Sequence, residues 1–156
     1  MTRQKLSLPL TGRCQCGQVR YQITAMPLTL YACHCTECQK QSSSAYGMSM
    51  PVPREGFKVS GELTYWERAS DDGNKVNCAF CPNCGTRMYH EPSRNNAIIN
   101  VKPGTLDNTR WLRPVGHLWA SSAQSGSIIP DNVLVFDRQP YSFDSLFAAW
   151  QAKYEK

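Results

Sequence analysis

Residues 81–85 of the chain are Cys81-Pro82-Asn83-Cys84-Gly85, a pair of cysteines separated by two residues and followed by glycine. A turn of this length aims both sulfurs at one point, and the glycine relieves backbone strain beside it. A second pair, Cys14-Gln15-Cys16, can do the same because residues i and i+2 of an extended segment share a face. Four thiolates complete a tetrahedral zinc site. The two pairs therefore predict a structural zinc centre that joins the start of the domain to its middle.

Three more cysteines lie within the six residues Cys33-His34-Cys35-Thr36-Glu37-Cys38. A short loop can place three sulfurs on one face of a zinc ion and leave the opposite face for another ligand. Three thiolates make such a site soft and negatively charged, so a sulfur ligand suits it better than a hard oxygen. A thiol that binds there loses its proton to the metal. Cys33, Cys35 and Cys38 therefore predict a second, catalytic zinc that favours thiol chemistry over hydrolysis.

The eighth cysteine, Cys78, leaves an alternative open. It lies three residues before Cys81, so two closed four-cysteine sites are arithmetically possible. Its place in a strand-like alternation favours a buried free thiol. A disulfide framework is a further alternative, disfavoured because we find no secretory leader and the chain is not a short loop-rich one. His34 lies between two cysteines and is expected to point away from their sulfurs, in a supporting role.

The composition is typical of one soluble domain. A chain of 156 residues is long enough to bury a core, and we expect a single domain over residues 1–156. No apolar stretch approaches the length of a membrane span. The formal net charge is +5, but the basic residues are scattered, which is a weak basis for nucleic-acid binding. We expect a cytoplasmic protein without nucleic-acid or membrane partners, whose oligomeric state the sequence does not set.

Short apolar runs broken by turn residues predict a mainly β fold. The predicted strands cover residues 19–23, 46–50, 57–59, 63–66, 76–80, 97–101 and 115–119. Those at 57–59 and 63–66 flank Ser60-Gly61-Glu62 and are predicted to form a hairpin, and the strand at 46–50 is predicted to end before Pro51. Ser142 is a predicted N-cap for a C-terminal helix at about residues 142–154. Its apolar stripe is expected to pack on the sheet, with partner binding as the alternative; the stripe consists of Phe143, Leu146, Phe147, Trp150 and Tyr154.

Three segments together resemble the glutathione-dependent formaldehyde-activating enzyme family, the GFA domain. They are residues 12–21, 33–40 and 80–86, with weaker matches at 101–107 and 117–119. The order and spacing of these motifs are more specific than any one cysteine pair. The resemblance implies a compact antiparallel-sheet β-tent, shared with methionine sulfoxide reductase B. It also implies that Cys14, Cys16, Cys81 and Cys84 hold the structural zinc, and that Cys33, Cys35 and Cys38 hold the catalytic zinc.

The activity implied by the resemblance is the reversible condensation of a thiol such as glutathione with formaldehyde or another small aldehyde, a carbon–sulfur lyase reaction. Glutathione carries carboxylates, for which Lys40 and Arg87 are candidate partners because they follow the cysteine clusters. The alternative is a non-catalytic zinc-binding module, which predicts that His34, Cys78 or Glu37 closes the second site. Methionine sulfoxide reduction needs a free nucleophilic cysteine, for which only Cys78 is spare.

Overall fold

The computed structural model describes residues 4–70 and 73–155. The strands are β1 (Gln4–Lys5), β2 (Leu10–Arg13), β3 (Arg20–Ile23), β4 (Tyr31–Cys33), β5 (Gly47–Pro53), β6 (Phe57–Ser60), β7 (Thr64–Ala69), β8 (Lys75–Phe80), β9 (Arg87–Pro92), β10 (Ile98–Val101), β11 (Gly116–Leu118), β12 (Leu134–Val135) and β13 (Tyr154–Glu155). The α-helices are α1 (Thr36–Ser42) and α2 (Asp144–Lys153), and 3₁₀ turns cover Arg54–Gly56, Pro103–Thr105 and Ala120–Ser122. The predicted mainly β fold with a short C-terminal helix is confirmed. Within the described ranges, no helix is both long and apolar enough to cross a bilayer.

The chain separates into two compact units. Unit 1 comprises Met1–Leu6, Leu28–Ser49 and Leu112–Lys156, and unit 2 comprises Ser7–Pro27 and Met50–Trp111. Residues 1–3, 71–72 and 156, which the single-domain prediction includes, lie outside the described residues.

Unit 2 contains two sets of paired strands around an apolar core. β2, β3 and β6 form an antiparallel sheet, and residues 50–53 of β5 begin a second series that continues through β10, β9, β8 and β7. In β3 and β10, alternate side chains are buried, as in a half-buried sheet. The ring of Phe57 lies 5.4 Å from that of Tyr21 and 5.0 Å from that of Tyr89, so residues of β6, β3 and β9 share this core.

Two predictions about strand ends in unit 2 are wrong. β6 and β7 do not form a hairpin, because β6 pairs over four residues with β3 whereas β7 pairs over six with β8. Gly61, with φ of 99°, instead turns the chain from one set of strands to the other. β5 also continues past Pro51 to Pro53. Proline is tolerated because, among the described residues, this part of β5 pairs on one side only, with β10.

Unit 1 pairs β4 with strands from distant parts of the sequence. β4 pairs antiparallel with residues 47–49 of β5 and parallel with β11, which in turn pairs parallel with β12. Helix α2 packs on this sheet as predicted, with Leu146 and Trp150 fully buried. A Cβ on Gly116 of β11 would collide with Leu146. The N-cap of α2 is Phe143, one residue after the predicted Ser142, although the Ser142 hydroxyl still accepts a hydrogen bond from the Asp144 N–H at 3.1 Å.

Replacement of Gly12 by alanine tests the packing of β2, the strand that leads to Cys14. A Cβ at Gly12 would overlap the Tyr21 ring and lie 2.7 Å from the Thr105 carbonyl oxygen. The ring cannot simply move away, since the Tyr21 hydroxyl is hydrogen-bonded to the Thr105 hydroxyl at 2.7 Å. We expect Gly12→Ala to lower the free energy of unfolding, measured with urea, by about 1–3 kcal/mol. Gly104→Ala is the matched control, because no heavy atom lies within 4 Å of a Cβ there; equal losses in the two variants would contradict the packing argument.

His90 in β9 predicts how stability depends on pH. It is 4% exposed, and its Nε2 has no hydrogen-bond partner among the described residues. Burial, together with the charges of Lys102, Arg68 and Arg87, holds the pKa of His90 far below its usual value. The native ring therefore stays neutral, whereas the unfolded chain takes up a proton below about pH 6.5. Stability must fall as the pH drops through that value.

The measurement compares wild type with His90→Gln in urea at about pH 7.5 and 5.5. We expect wild type to lose about 1.4 kcal/mol more than the variant across this interval, which corresponds to one extra proton bound by the unfolded state. Protonation of the cysteines changes the stability of both proteins equally, so it cancels when the two losses are compared. Equal losses would show that His90 titrates normally in the folded protein.

Candidate metal centres

The first sulfur cluster, formed by Cys14, Cys16, Cys81 and Cys84, lies entirely in unit 2. Its four Sγ atoms lie within 4.8 Å of one another. Cys14 follows β2, and a turn closed by the hydrogen bond from the Gly17 N–H to the Cys14 carbonyl brings Cys16 beside it. Cys81 follows β8, and the Gly85 N–H closes the corresponding turn at 2.9 Å. Gly85 has φ of 73°, the left-handed conformation that glycine adopts without strain.

The sulfur spacing in this cluster fits a tetrahedral metal ion. Zinc–sulfur bonds of about 2.3 Å at tetrahedral angles place neighbouring sulfurs about 3.8 Å apart. The Cys16 Sγ lies 3.5 Å from that of Cys14 and 3.7 Å from that of Cys81. All eight cysteines are described, and none forms a disulfide. The four side chains could therefore hold one metal ion, and an all-thiolate donor set suits zinc.

Hydrogen bonds to sulfurs of the first cluster stabilise their anionic form. The Thr86 hydroxyl lies 3.2 Å from the Cys84 Sγ, and the Thr86 side chain and N–H together lower the pKa of Cys84 to about 5. The same hydroxyl accepts a hydrogen bond from the Gln15 N–H at 3.0 Å, so Thr86 links the two cysteine turns. The Val19 N–H donates to the Cys14 Sγ at 3.2 Å. These donors stabilise thiolates, the form in which cysteine binds a metal.

The second sulfur cluster, formed by Cys33, Cys35 and Cys38, lies in unit 1, and its three Sγ atoms also lie within 4.8 Å of one another. Cys33 ends β4, Cys35 is the N-cap of α1, and Cys38 lies in the first turn of that helix. The Cys35 Sγ accepts a hydrogen bond from the Cys38 N–H at 3.3 Å. Helix α1, which the sequence analysis did not identify, turns the chain back so that Cys38 meets the other two cysteines.

Hydrogen bonds among the three sulfurs favour the thiolate form of Cys35. The thiols of Cys33 and Cys38 donate to the Cys35 sulfur and lower its pKa to about 2. The hydrogen bonds that Cys33 makes, chiefly the one to Cys35, raise the pKa of Cys33. No further histidine, cysteine or carboxylate atom joins this group within the part of the chain that the structure describes. The cluster therefore offers three sulfur donors from one short segment.

His34 does not join the second cluster. Its Nε2 lies 2.8 Å from Nδ1 of His117, and the two buried rings stack with centroids 5.1 Å apart. The ring of Tyr46 lies 5.1 Å from that of His34. Burial lowers the pKa of both histidines, and the charge of His34 lowers that of His117 further. The contact joins residues 83 positions apart in sequence, and no local pattern indicates it.

The remaining candidate residues are Cys78, Lys40 and Arg87. Cys78 is buried in unit 2, outside both clusters, and its thiol faces the Val76 carbonyl at 3.8 Å. The alternative of two closed four-cysteine sites therefore has no support. Lys40 is exposed and lies 3.7 Å from Glu37. Arg87 lies in unit 2, with its guanidinium over the Phe80 ring.

Comparison with known proteins assigns the fold and the clusters to a family. The family described as glutathione-dependent formaldehyde-activating enzyme matches residues 9–122, more than half of the chain. The chain belongs to this family. All seven clustered cysteines lie within the segment that matches the formaldehyde-activating family. A crystal structure of a Rhodobacter sphaeroides protein is also similar, with a TM-score of 0.53 and 18% identity over 65% of this chain and 91% of that one. At that identity the likeness shows a common fold alone.

Replacement of Cys14 by serine tests the first cluster. We expect Cys14→Ser to carry one metal ion fewer per chain and to lose most of its cooperative thermal unfolding, because metal binding at a four-sulfur centre contributes directly to folding. Elemental analysis and circular dichroism measure the two effects. Cys78→Ala is the control, since Cys78 is buried but belongs to neither cluster. Unchanged metal content in Cys14→Ser would rule out a metal at this centre.

Proposed function

We propose that the chain is a zinc-dependent carbon–sulfur lyase that reversibly condenses a glutathione-like thiol with formaldehyde or another small aldehyde. The observation that carries the proposal is the second cluster, with three sulfur donors and no fourth within the described residues. Zinc in proteins takes four ligands, and catalytic sites keep one position for substrate. Membership of the formaldehyde-activating family supports the same class of reaction. We propose two zinc ions per chain and a cytoplasmic location, where substrate thiols stay reduced.

Cys33, Cys35 and Cys38 are the residues that we propose for catalysis, and Cys14, Cys16, Cys81 and Cys84 for the structural zinc. Zinc bound in the second cluster would supply Lewis acidity toward a thiol and a carbonyl oxygen. The chain itself supplies a soft, anionic donor set, which favours a thiolate over a hydroxide as the fourth ligand. Keeping the thiol and the aldehyde side by side lowers the entropic cost of their meeting.

The reaction balances without an oxidant or reductant. The thiol sulfur adds to the aldehyde carbon, one carbon–sulfur bond forms, and the thiol proton ends on the former carbonyl oxygen. In the reverse direction the same bond breaks and the proton returns to sulfur.

A substrate thiol that carries a carboxylate also needs a cation to bind that carboxylate. Lys40 is our candidate in unit 1, because its contact with Glu37, at 3.7 Å, is exposed and easily exchanged.

The test measures metal content together with the rate of exchange between free and formaldehyde-bound glutathione by NMR. We expect wild type to hold two zinc ions and to accelerate the exchange. Cys35→Ser should keep its fold, lose one zinc and lose the acceleration, whereas Cys78→Ala should behave as wild type. If wild type holds two zinc ions but does not accelerate the exchange of glutathione or of other small thiols with formaldehyde, the non-catalytic module is the better explanation.

The non-catalytic alternative required His34, Cys78 or Glu37 to close the second site. His34 is hydrogen-bonded to His117, the Cys78 thiol faces a carbonyl in unit 2, and Glu37 lies beside Lys40. None of the three belongs to the second cluster. This arrangement supports a site that retains a position for substrate.

A further inference from the structure

Gln39 of helix α1 contacts two separate segments of unit 1 through its side-chain amide. The Nε2 group donates to the carbonyl oxygen of His34 at 2.8 Å and to that of Ser122 at 3.0 Å. The Oε1 atom accepts a hydrogen bond from Nε2 of Gln124 at 3.0 Å. Both N–H groups and the oxygen of the amide are therefore used. Gln39 connects the cysteine loop, residues 33–38, with the loop at residues 119–124.

The carbonyl of His34 is held from two directions. Besides the amide of Gln39, the Ser122 hydroxyl lies 3.1 Å from this oxygen and 3.2 Å from the Trp119 carbonyl oxygen, and its single proton can be donated to either. The carbonyl belongs to the peptide between His34 and Cys35, in the middle of the cysteine loop. Rotation of that peptide would redirect the Cys35 side chain and would break both hydrogen bonds. The two donors therefore fix the direction in which the Cys35 sulfur points.

The 119–124 loop has its own backbone constraint. Trp119 adopts φ of 58° and ψ of 40°, a left-handed conformation that is strained for a bulky residue. The hydrogen bond from the Ser122 N–H to the Trp119 carbonyl, at 3.1 Å, closes the 3₁₀ turn that follows. The His34 N–H also donates to the Leu118 carbonyl at 2.9 Å, so the loop starts directly beside the cysteine loop. Such a conformation persists only where neighbouring contacts hold it.

We propose that Gln39 is a positioning residue of the second metal centre and that, through it, the 119–124 loop supports that centre. The inference rests on the proposed function only in requiring that the second cluster binds a metal. Gln39 touches neither metal nor substrate. It holds the His34–Cys35 peptide so that the sulfurs of Cys33, Cys35 and Cys38 face one ion. Residues that orient metal ligands in this way change metal affinity by about 10- to 100-fold when they are replaced.

Cobalt(II) binding tests the proposal without an activity assay. Thiolate–cobalt absorption reports each site as it fills, and competition with a chelator gives the affinity of the second site. We expect Gln39→Ala and the isosteric Gln39→Glu, which lacks both N–H donors, to weaken binding at the second site by about 10- to 100-fold. Gln41→Ala is the matched control, because this glutamine lies in the same helix and its side chain forms no hydrogen bond among the described residues. Gln124→Ala leaves both donors of Gln39 in place and should bind nearly as wild type.

The outcomes separate the two proposals. Wild-type affinity in both Gln39 variants would overturn the positioning role while leaving the proposed function intact. Loss of cobalt from the first cluster as well would show a general structural role and would also overturn it. A wild-type protein that takes up a single cobalt ion, lost in Cys14→Ser and retained in Cys35→Ser, would remove the second metal centre and, with it, both the proposed function and this inference.

Discussion

In unit 2, four sulfurs from two turns that are far apart in sequence converge on one point. The strands that lead into those turns must be placed so that the sulfurs can meet. β2 delivers Cys14 and β8 delivers Cys81, while Cys16 and Cys81 are 65 positions apart in sequence. Closing so long a loop costs conformational entropy. Thiolates brought this close repel one another unless a cation is shared among them. A bound metal would supply that attraction and would hold β2 and β8 in position.

The two clusters differ in what their ligands connect. The first takes sulfurs from two turns far apart in the chain, so a metal shared by these sulfurs would close a long loop. The second takes its three sulfurs from residues 33–38, so the chain closes only a short loop around it. A local cluster can tolerate exchange of its remaining ligand without loss of the surrounding fold. This difference in loop length supports our proposal of a structural role for the first cluster and a catalytic role for the second.

The sequence predicts those features that depend on local spacing. The grouping of the cysteines follows from the pairs and the triplet, and the stripe through Leu146 and Trp150 predicts how α2 packs. Pairing between distant strands has no such signal, so β6 and β7 were wrongly joined across Gly61. Helix α1 is short, has a cysteine as N-cap and buries only Cys38, so it shows no apolar period.

Side-chain contacts across long sequence separations are the least predictable. Gln39 and Ser122 lie 83 positions apart, and polar residues on a seven-residue helix give no indication of a partner so distant in sequence. The same holds for the pair of His34 and His117. Each contact depends on the parallel pairing of β4 with β11, which only the three-dimensional structure reveals.

That parallel pairing sets an order of events on the ribosome. Antiparallel neighbours such as β4 and β5 can pair as soon as both have emerged, whereas the parallel partner of β4 is synthesised much later, at Gly116–Leu118. All three sulfurs of the second cluster have emerged by residue 38, yet the strand and loop that lie beside them follow only after residue 115. The four sulfurs of the first cluster are complete at residue 84. A nascent chain therefore contains all four sulfurs of the first cluster before the strand and loop beside the second cluster are made, although the three sulfurs of the second cluster are complete earlier still.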